Sequence, residues 1–456
     1  MKGTIRCIVK RVLRTCIFLL LLVSRVRAQE MDYLNKADLD FLRLLTKAVM
    51  DSSRILPKQV ISKDFGPNNT GGTLIRPGGR DCYPSFWIRD YAMSLESGMV
   101  SKAEQQHMLR LTAATQCDQT WITRNGSMVP FGAIADHIRI DDGLPVYFPG
   151  TYNFEEQGNK QYGMTPPYDD QFFFIHMAYY YVRTTGDARW LLQEINGMRL
   201  IDRLETAFKV PPSHLNNHIV YATDDYRGVD FGFRDAIVLT GDLCFTSILK
   251  FRAAKELSDL FALLNKKEKS TLYAGISGKI KNAIPALFSD QRGMLLASTG
   301  KSNQPDVWAT ALAVYLQVLD GDLQKRACSF LADAYKNNTL SFHGNIRHVL
   351  TTDDFNVTTS WGVTQVEKNT YQNGAYWGTP TGWVCYAIAK VNPVLAKQMA
   401  AEYVRDLREN DFRKGNSYGA PFECFYPPAY QQNPVYLTTV SCPYAVFMRH
   451  SDFTNF

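Results

Sequence analysis

The stretch DDYRGVDFGFRDAIVLTGDLCFTSIL, residues 224–249, joins a loop-like half to an apolar, helix-compatible half. The loop-like half carries four carboxylates among glycines and aromatic residues: Asp224, Asp225, Asp230 and Asp235. Aromatic rings beside carboxylates suit a carbohydrate site, because sugars present flat C–H faces and many hydroxyl groups. The rings also form an apolar wall that raises a carboxyl pKa and favours general-acid chemistry. Acids in this position are equally typical of helix N-terminal capping, so the stretch alone leaves both interpretations open.

The same order, a long loop followed by an apolar helix, recurs along the chain. Apolar residues spaced by three and four predict twelve helices. They are expected over residues 37–56, 88–99, 103–115, 170–184, 188–208, 242–264, 268–288, 306–319, 322–336, 381–390, 393–407 and 438–448. Short β-like runs occur only in places, such as residues 218–222 and 294–297. Twelve helices without βαβ alternation predict an all-α fold, an (α/α)6 toroid of six helical hairpins with short β pieces in its loops.

No linker or low-complexity segment divides the chain, so we expect a single (α/α)6-barrel domain over residues 29–456. In such a toroid an outer ring of helices covers an inner ring, and long loops build a pocket at one end. The long loops are predicted at residues 117–168, 209–236, 341–380 and 408–436, and a rigid scaffold often presents its chemistry on such loops. An irregular α-solenoid is the alternative, and the repeat of about 34 to 45 residues that it requires is not visible.

The first 28 residues resemble a secretory signal peptide. Basic residues at positions 2–14 precede an apolar run over residues 16–23, and Val26 and Ala28 occupy positions −3 and −1 of a cleavage site. The apolar run is too short to span a bilayer. We therefore expect a signal peptide over residues 1–28 and a secreted or periplasmic protein without stable membrane insertion. A retained N-terminal anchor is the alternative.

The net charge of +6 comes from this leader. The chain has 50 Lys or Arg residues, of which seven lie in residues 1–28, so 43 remain against 44 Asp or Glu. A balanced mature chain has no electrostatic feature that would attract nucleic acid, and we expect no nucleic-acid partner.

Seven cysteines follow the leader, an odd and sparse set that does not make a disulfide framework. Cys82 with Cys117, and Cys424 with Cys442, are the pairs that could form. No zinc-type spacing occurs, so we expect neither a metal nor a cofactor. Glycosylation sequons, which matter only in a glycosylating host, are present at Asn68, Asn125, Asn337 and Asn356.

Two helix starts carry candidate binding residues. In FWIRDY, residues 86–91, Arg89 and Asp90 are placed to hold sugar hydroxyls while Trp87 stacks on the ring. In PPYDDQFF, residues 166–173, Asp169 and Asp170 stand at a helix N-terminus. Helix capping and ion pairing explain these acids as well as sugar binding does.

Two later loops add further candidates. Tyr376, Trp377 and Trp383 in NGAYWGTPTGW, residues 373–383, suit a sugar platform, with core packing as the alternative. Glu423 is the only acid between residues 411 and 452, and it lies among aromatic residues. A lone carboxylate in an apolar segment is costly to bury unless it has a partner or a function. A structural salt bridge is the alternative for Glu423.

The order of these motifs resembles the inverting six-hairpin glycosidases, such as trehalase, glucoamylase and the processing α-glucosidase. The resemblance covers most of the mature chain as an order of motifs, while only short stretches match closely. Trehalase-like enzymes have a Gly-x-Asp-Phe segment whose Asp is the general acid, and the match to GVDF, residues 228–231, implies that Asp230 has this role. Their catalytic base lies in an aromatic segment near the C-terminus, which implies Glu423.

Other matches and departures concern the sugar-binding loops. Arg89–Asp90 matches the sugar-holding Arg–Asp motif of this family. Residues 376–378 are similar to its Tyr-Trp-Arg-Gly loop but lack the Arg, and the loop of residues 373–383 is also similar to that of the bacterial α-rhamnosidases. The second acidic motif, GDL at residues 241–243, is similar to a family segment that opens a helix, and we expect Asp242 to be a helix N-cap.

The resemblance implies a secreted O-glycosyl hydrolase, exo-acting and inverting, whose substrate is an oligosaccharide or glycoside. Asp225 and Asp235 are reserve candidates for the acid. Two other classes stay open. One is an (α/α)-toroid polysaccharide lyase, which needs a Tyr or His base near an Arg, or an unsaturated uronyl hydrolase with a single Asp. The other is a catalytically silent carbohydrate-binding protein.

Overall fold

The computed structural model describes residues 32–80, 82–158 and 161–448. The predicted signal peptide, residues 1–28, lies outside the described residues. Within those ranges, no helix combines the length and the apolar character that a membrane crossing requires.

Twelve α-helices lie in the described part of the chain. In chain order they are α1 (Lys36–Ser53), α2 (Ile88–Ser94), α3 (Lys102–Ala114), α4 (Asp169–Thr185), α5 (Leu200–Phe208), α6 (Cys244–Leu263), α7 (Lys267–Phe288), α8 (Val307–Tyr315), α9 (Gly321–Lys336), α10 (Thr381–Ala389), α11 (Pro393–Glu409) and α12 (Leu437–Met448). Short 3-10 turns also occur, among them Leu95–Ser97 after α2 and Gly232–Arg234 in the loop before α6.

The even-numbered helices form a closed inner ring. Each contacts the next, from α2 through α4, α6, α8 and α10 to α12, and α12 contacts α2 again. The odd-numbered helices pack outside them; α7 lies along α6, α11 along α10, and α1 along α12. This arrangement confirms the predicted (α/α)6 toroid.

Composition assigns each helix to its layer. The inner helix α8, VWATALAVY, is apolar and buries all nine of its residues. The outer helix α9 buries one stripe, centred on Cys328 and Leu331, and exposes charged residues on the other side. A helix that is apolar all round must be covered on every side, whereas an amphipathic helix can face water. The alternation of these two types along the chain therefore produces the two rings.

Fifteen short strands in the described residues lie in the loops. They are β1 (Arg54–Ile55), β2 (Leu74–Ile75), β3 (Ser85–Trp87), β4 (Trp121–Ile122), β5 (Met128–Val129), β6 (His137–Arg139), β7 (Pro145–Val146), β8 (Glu194–Ile195), β9 (Met198–Arg199), β10 (Tyr221–Ala222), β11 (Gly241–Asp242), β12 (Ser341–Phe342), β13 (Asn345–Ile346), β14 (Phe422–Tyr426) and β15 (Tyr430–Pro434). One sheet and one hairpin formed by these strands position residues that were predicted or prove to be functional candidates. The antiparallel sheet β3-β6-β7 sets Trp87 opposite His137, and the hairpin β14-β15 carries Glu423.

The structure differs from the predicted helices mainly over residues 188–208. A 3-10 turn at Ala188–Leu192 and the hairpin β8-β9 replace the first half of the predicted helix, and α5 begins only at Leu200. The hairpin turn is Asn196-Gly197, where both residues have positive φ, 48° and 76°. Asn-Gly is the typical two-residue hairpin turn, so this local signal overrides the helical spacing.

Two smaller expectations are also corrected. Asp242 is not a helix N-cap: it lies in β11, accepts a hydrogen bond from Nε2 of His214 at 2.6 Å, and is followed by Leu243 as the residue before α6. Neither proposed disulfide is formed, because Cys117, Cys424 and Cys442 are buried thiols. The thiol of Cys442, on the inner helix α12, donates to the backbone oxygen of Met93 on α2.

Candidate active site

A cavity of about 210 Å³ lies at the end of the toroid where the inner helices α2, α4 and α12 begin. Its lining combines aromatic rings with ionisable groups: Tyr83, Trp87, Arg89, Asp90, His137, Tyr152, Phe233, Asp235, Tyr371, Glu423 and Tyr436. These residues come from the four long loops, from the segment that precedes α2, and from the first turn of α2. The cavity therefore collects side chains that are distant in the sequence.

Glu423 lies in β14 and is 2% exposed. The hydroxyl of Tyr83 donates to both of its carboxyl oxygens, at 3.1 and 3.2 Å, and the amide of Asn433 in β15 donates to one of them at 2.6 Å. Burial raises the pKa of Glu423 to about 8 against the lowering effect of these hydrogen bonds, and nearby Asp90 and Asp235 add to the rise. Glu423 is thus a buried carboxyl group held by neutral donors, and the salt-bridge alternative does not describe it.

Asp235, a reserve candidate for the acid, also lines this cavity. It follows the turn Gly232–Arg234, is half-buried, and accepts a hydrogen bond from the amide of Gln372 at 2.8 Å. Burial raises its pKa to about 6, while Arg89 and Gln372 act in the opposite direction. Asp235 and Glu423 are close enough for their charges to interact, so one cavity holds two carboxyl groups that compete for ionisation.

Asp230, the predicted general acid, is outside the cavity lining. Its carboxylate is 1% exposed and accepts three hydrogen bonds from the guanidinium of Arg234, the shortest at 2.6 Å. Arg234 also donates to Asp306, the N-cap of α8. Asp230, Arg234 and Asp306 thus form a buried ion-pair network that connects the loop to the inner ring. Asp225, the other reserve acid, is exposed in the same loop and is likewise outside the lining.

Arg89 lies at the floor of the cavity and is bound from below by acids. Its guanidinium donates to one oxygen of Asp136, at 2.6 and 2.7 Å, and to Asp170 at 3.1 Å. Asp169 accepts from the backbone N–H of Gly232 at 2.9 Å. Burial raises the pKa of Asp169 to about 7 and raises that of Asp170 strongly, against the lowering effect of Arg89. Asp170 thus supports Arg89 from beneath, Asp169 holds the turn at Gly232, and both are outside the lining.

The other candidates of the FWIRDY segment, residues 86–91, are Trp87 and Asp90, and both line the cavity. Asp90 accepts a hydrogen bond from the hydroxyl of Tyr436 at 2.7 Å, and burial raises its pKa to about 6. Trp87 stacks on His137, with ring centroids 4.3 Å apart and an interplanar angle of 18°.

The aromatic residues predicted from the loop of residues 373–383 do not line the cavity. Trp377 is fully buried and packs behind Phe233 at 5.7 Å. Tyr376 stacks on Tyr426, and Trp383 lies in α10, where it lines a separate small cavity inside the ring. Their positions fit the core-packing alternative, because a ring that is covered by other side chains offers no free face to a sugar.

Several residues of the site are not among the candidates predicted from the sequence. Tyr83 adopts a positive φ of 49°, which brings its hydroxyl to Glu423. No local sequence pattern predicts this conformation. Asp136 and His137 are adjacent ionisable residues at the start of a buried strand, an unusual pairing that is a usable signal. Gln372 and Asn433 are recognised only from their contacts. In the described residues, no group of three or more His, Cys, Asp or Glu side chains is placed to hold a metal ion.

Comparison with known proteins gives structural matches only. No protein-family model matches the chain, and no curated protein matches it in sequence. A rhamnosidase from Klebsiella oxytoca with rhamnose bound is similar in structure, with a TM-score of 0.54 and 13% identity over 91% of this chain and 64% of that chain. The glucoamylase of Saccharomycopsis fibuligera has a TM-score of 0.55 and 10% identity, covering 92% and 97% of the two chains.

A GH63 mannosylglycerate hydrolase from Thermus thermophilus in complex with glucose is also similar, with a TM-score of 0.54 and 14% identity over 89% of this chain and 99% of that chain. The chain spans 64% of the Klebsiella rhamnosidase and 35% of a rhamnosidase from Bacillus, but nearly the whole of the glucoamylase and of the GH63 hydrolase. At these identities the likeness shows the fold, which is that of the six-hairpin glycosidases.

Proposed function

We propose that the chain is a secreted glycoside hydrolase that inverts the anomeric centre and removes single sugar units from an oligosaccharide or glycoside. The observation that carries the proposal is the presence of Asp235 and Glu423 in one aromatic-lined cavity. Two carboxyl groups suffice for this chemistry. One gives a proton to the leaving oxygen, and the other activates a water molecule on the opposite face of the sugar, across a gap of roughly 6.5–9.5 Å in inverting enzymes.

We assign the general acid to Asp235 and the general base to Glu423. Asp235 is half-buried, whereas Glu423 is 2% exposed. In a pocket that is closed at one end, the leaving group points toward the opening, so the more exposed carboxyl group is placed to protonate it. Glu423 accepts only from neutral donors, Tyr83 and Asn433, which is the environment of an ionised carboxylate.

The pKa values alone favour the opposite assignment, with Glu423 as the acid, because the pKa is about 8 for Glu423 and about 6 for Asp235. Position decides the assignment, because a water molecule bound for attack donates a further hydrogen bond to Glu423 and lowers its pKa. The leaving-group experiment below decides between the two assignments.

The cavity also supports exo action and a sugar substrate. Its volume of about 210 Å³ suits one sugar unit and not a chain that crosses the molecule. Aromatic rings, including Trp87, Tyr152 and Tyr371, offer apolar faces, while Asp90 and Arg89 offer polar contacts for hydroxyl groups. The similar structures named above are, by their descriptions, glycoside-cleaving enzymes, which agrees with this proposal.

The activity test is a panel of p-nitrophenyl glycosides and oligosaccharides, with the anomer of the product read by NMR as it forms. We expect hydrolysis of at least one α- or β-glycoside and a product of inverted configuration. A product of retained configuration would contradict the inverting mechanism. Absorbance from a new C=C bond would indicate a lyase, and sugar binding without turnover would indicate a silent binding protein.

The role test compares Asp235→Asn with Glu423→Gln. Both changes should lower kcat by about 10²–10⁴-fold on an unactivated glycoside, the usual contribution of a general acid or base. On a glycosyl fluoride, whose leaving group needs little protonation, Asp235→Asn should recover most of the activity and Glu423→Gln should not. The opposite pattern would exchange the two roles.

Asp230→Asn is the matched comparison. We expect this variant to lose stability, because it breaks the buried ion pair with Arg234. If Asp230→Asn instead melts like the wild type and loses only the activity that needs an acid, the acid is Asp230 and the assignment of Asp235 fails.

Secretion is tested separately by expressing the full chain and sequencing the N-terminus of the exported protein. We expect export and a new N-terminus at residue 29, following the predicted cleavage after Ala28. Retention of the chain at the membrane with residues 1–28 intact would favour an N-terminal anchor.

A further inference from the structure

His137 is an ionisable residue of the cavity lining that the mechanism above does not use. It begins β6, is 1% exposed, and pairs with Trp87 across the sheet. Its ring stacks on Trp87 at 4.3 Å and meets Tyr152 edge-on at 5.2 Å. Two aromatic contacts and the strand pairing hold the imidazole in one orientation in the wall of the cavity.

The contact with Asp136 determines which ring nitrogen carries the proton. Nδ1 of His137 lies 2.7 Å from one carboxyl oxygen of Asp136, and Arg89 donates twice to the other oxygen. Although burial opposes it, Arg89 and His137 lower the pKa of Asp136, so this carboxyl group stays ionised and can only accept. In the neutral form of the ring, the proton is therefore on Nδ1 and Nε2 keeps a free lone pair.

Nε2 of His137 is buried and has no hydrogen-bond partner in the described residues. An unpaired polar atom in the interior is costly, and native structures rarely keep one without a reason. Because the ring of His137 lines the cavity, a molecule bound there is the natural donor to Nε2.

The charges around the cavity indicate what kind of sugar enters. The described lining residues include three carboxyl groups, on Asp90, Asp235 and Glu423, and one guanidinium, on Arg89. That guanidinium is already paired with Asp136 and Asp170 below the floor. A sugar carboxylate would therefore meet acidic groups and, among the described lining residues, no cation that is not already paired, and like charges in a buried site are strongly unfavourable.

We propose that the cavity binds an uncharged sugar, one hydroxyl of which donates a hydrogen bond to Nε2 of His137. The assignment to a sugar rests on the proposed function. Asp136 acts through His137 as a positioning residue, because it orients the ring and holds the proton on Nδ1. Uronic acids are therefore not preferred ligands, and His137 selects for a hydroxyl group at one position of the sugar.

The direct test is NMR of the protein labelled with 15N-histidine, titrated separately with D-glucose, D-mannose, L-rhamnose and D-glucuronate. The Nε2 resonance of His137, assigned by its absence in His137→Phe, should move in the direction of an accepted hydrogen bond with at least one of the three neutral sugars. No shift at Nε2 with any neutral sugar would overturn the inference, as would tighter binding of D-glucuronate than of D-glucose.

Two variants separate the acceptor role from packing. His137→Phe keeps a flat ring against Trp87, and His137→Asn keeps an amide donor for Asp136, but both lack Nε2. We expect each to bind the preferred neutral sugar about ten-fold more weakly, the effect of one lost hydrogen bond. If either variant binds the sugar as the wild type does, His137 is not the acceptor, and a lowered melting temperature would then assign it a packing role only.

These outcomes are distinguishable from a failure of the proposed function. A shift of Nε2 by a neutral sugar in a protein that hydrolyses no glycoside would leave the sugar site intact and remove the hydrolase proposal. Hydrolysis of a glycoside with unchanged KM and kcat in both His137 variants would remove the role of His137 and leave the hydrolase proposal.

Discussion

Two aspartates of one loop, Asp230 and Asp235, have opposite surroundings although both precede the same helix, α6. Asp230 meets a guanidinium within hydrogen-bonding distance, and Asp235 meets the amide of Gln372 and the open cavity. The difference arises from the turn Gly232–Arg234, which rotates the chain between them. At the scale of single residues, the chemistry of each carboxyl group depends on the partner that the backbone conformation brings to it, since Arg234 is near both aspartates in sequence and pairs with Asp230.

Gly232, in this turn, has no space for a side chain. A Cβ atom at this position would lie 1.8 Å from Nε and 2.0 Å from Cζ of Arg89. Gly232→Ala must therefore displace Arg89 from Asp136 and Asp170, and breaking a buried ion pair costs about 3–5 kcal/mol. We expect a loss of this size in the free energy of unfolding, measured by urea denaturation.

Gly275→Ala in α7 is the matched control, because a Cβ atom there has no neighbour within 4 Å. It should gain up to about 1 kcal/mol from helix propensity. Equal stability of the two alanine variants would show that Arg89 has room to move.

The sequons differ sharply in accessibility. Asn68 is fully buried, and its amide donates to the backbone oxygens of Ile55 and Gly72, whereas Asn337 is exposed at the end of α9. In a glycosylating host we expect a glycan at Asn337 and an unmodified Asn68, since the folded chain has no space for a glycan there. Mass spectrometry of peptides from the secreted protein, with and without glycan removal, tests this; a glycan at Asn68 of the folded protein would contradict it.

At the scale of elements, the inner helix α6 carries a lysine that the apolar pattern does not explain. Lys250 is 4% exposed, and its Nζ atom contacts the hydroxyl of Ser213 at 2.5 Å and the ring of Phe208 at 5.0 Å. Burial lowers the pKa of Lys250 to about 7. The helix thus accepts a group that becomes charged inside the protein at neutral and acidic pH.

Lys250→Met should raise the melting temperature, most of all below pH 7. The folded chain binds this proton less tightly than the unfolded chain does, so the unfavourable contribution is complete below pH 7 and fades as the pH rises toward the ordinary lysine pKa. Thermal melts between pH 5 and pH 10 test this. Lys255→Met, which removes an exposed lysine of the same helix, is the control and should show no such pH dependence. A melting temperature of Lys250→Met below that of the wild type at pH 5.5 would contradict the prediction.

At the scale of the whole molecule, the closed inner ring gathers buried carboxyl groups at one end. Burial raises the pKa of Asp90 and Asp235 to about 6, of Asp169 to about 7 and of Glu423 to about 8. Each of these groups holds its proton more tightly in the folded chain than in the unfolded chain. The stability that they contribute is complete below the ordinary carboxyl pKa near 4 and is lost as the pH rises through 6 to 8.

We therefore expect a higher melting temperature at pH 5 than at pH 8. Glu423→Gln, which stays neutral, should reduce this difference, because its side chain has no proton to lose. Glu409→Gln, at an exposed position at the end of α11, is the control and should leave the difference unchanged. A melting temperature that rises from pH 5 to pH 8 in the wild type would contradict the assignment of raised pKa values to this cluster.

Sequence periodicity was sufficient for the architecture, since an apolar helix such as α8 must be enclosed and an amphipathic helix such as α9 must face water. It also placed the candidate chemistry in the right loops, and Glu423, Asp235, Trp87, Arg89 and Asp90 were predicted candidates that line the cavity. Only the tertiary structure distinguished Asp235 from Asp230. Arg234 lies close to both in sequence, and the turn Gly232–Arg234 decides that it pairs with Asp230, while Gln372 reaches Asp235 from another loop. Local spacing determines which face of a helix is buried, but the environment of a carboxyl group depends on the backbone conformation around it and on residues that folding brings from elsewhere in the chain.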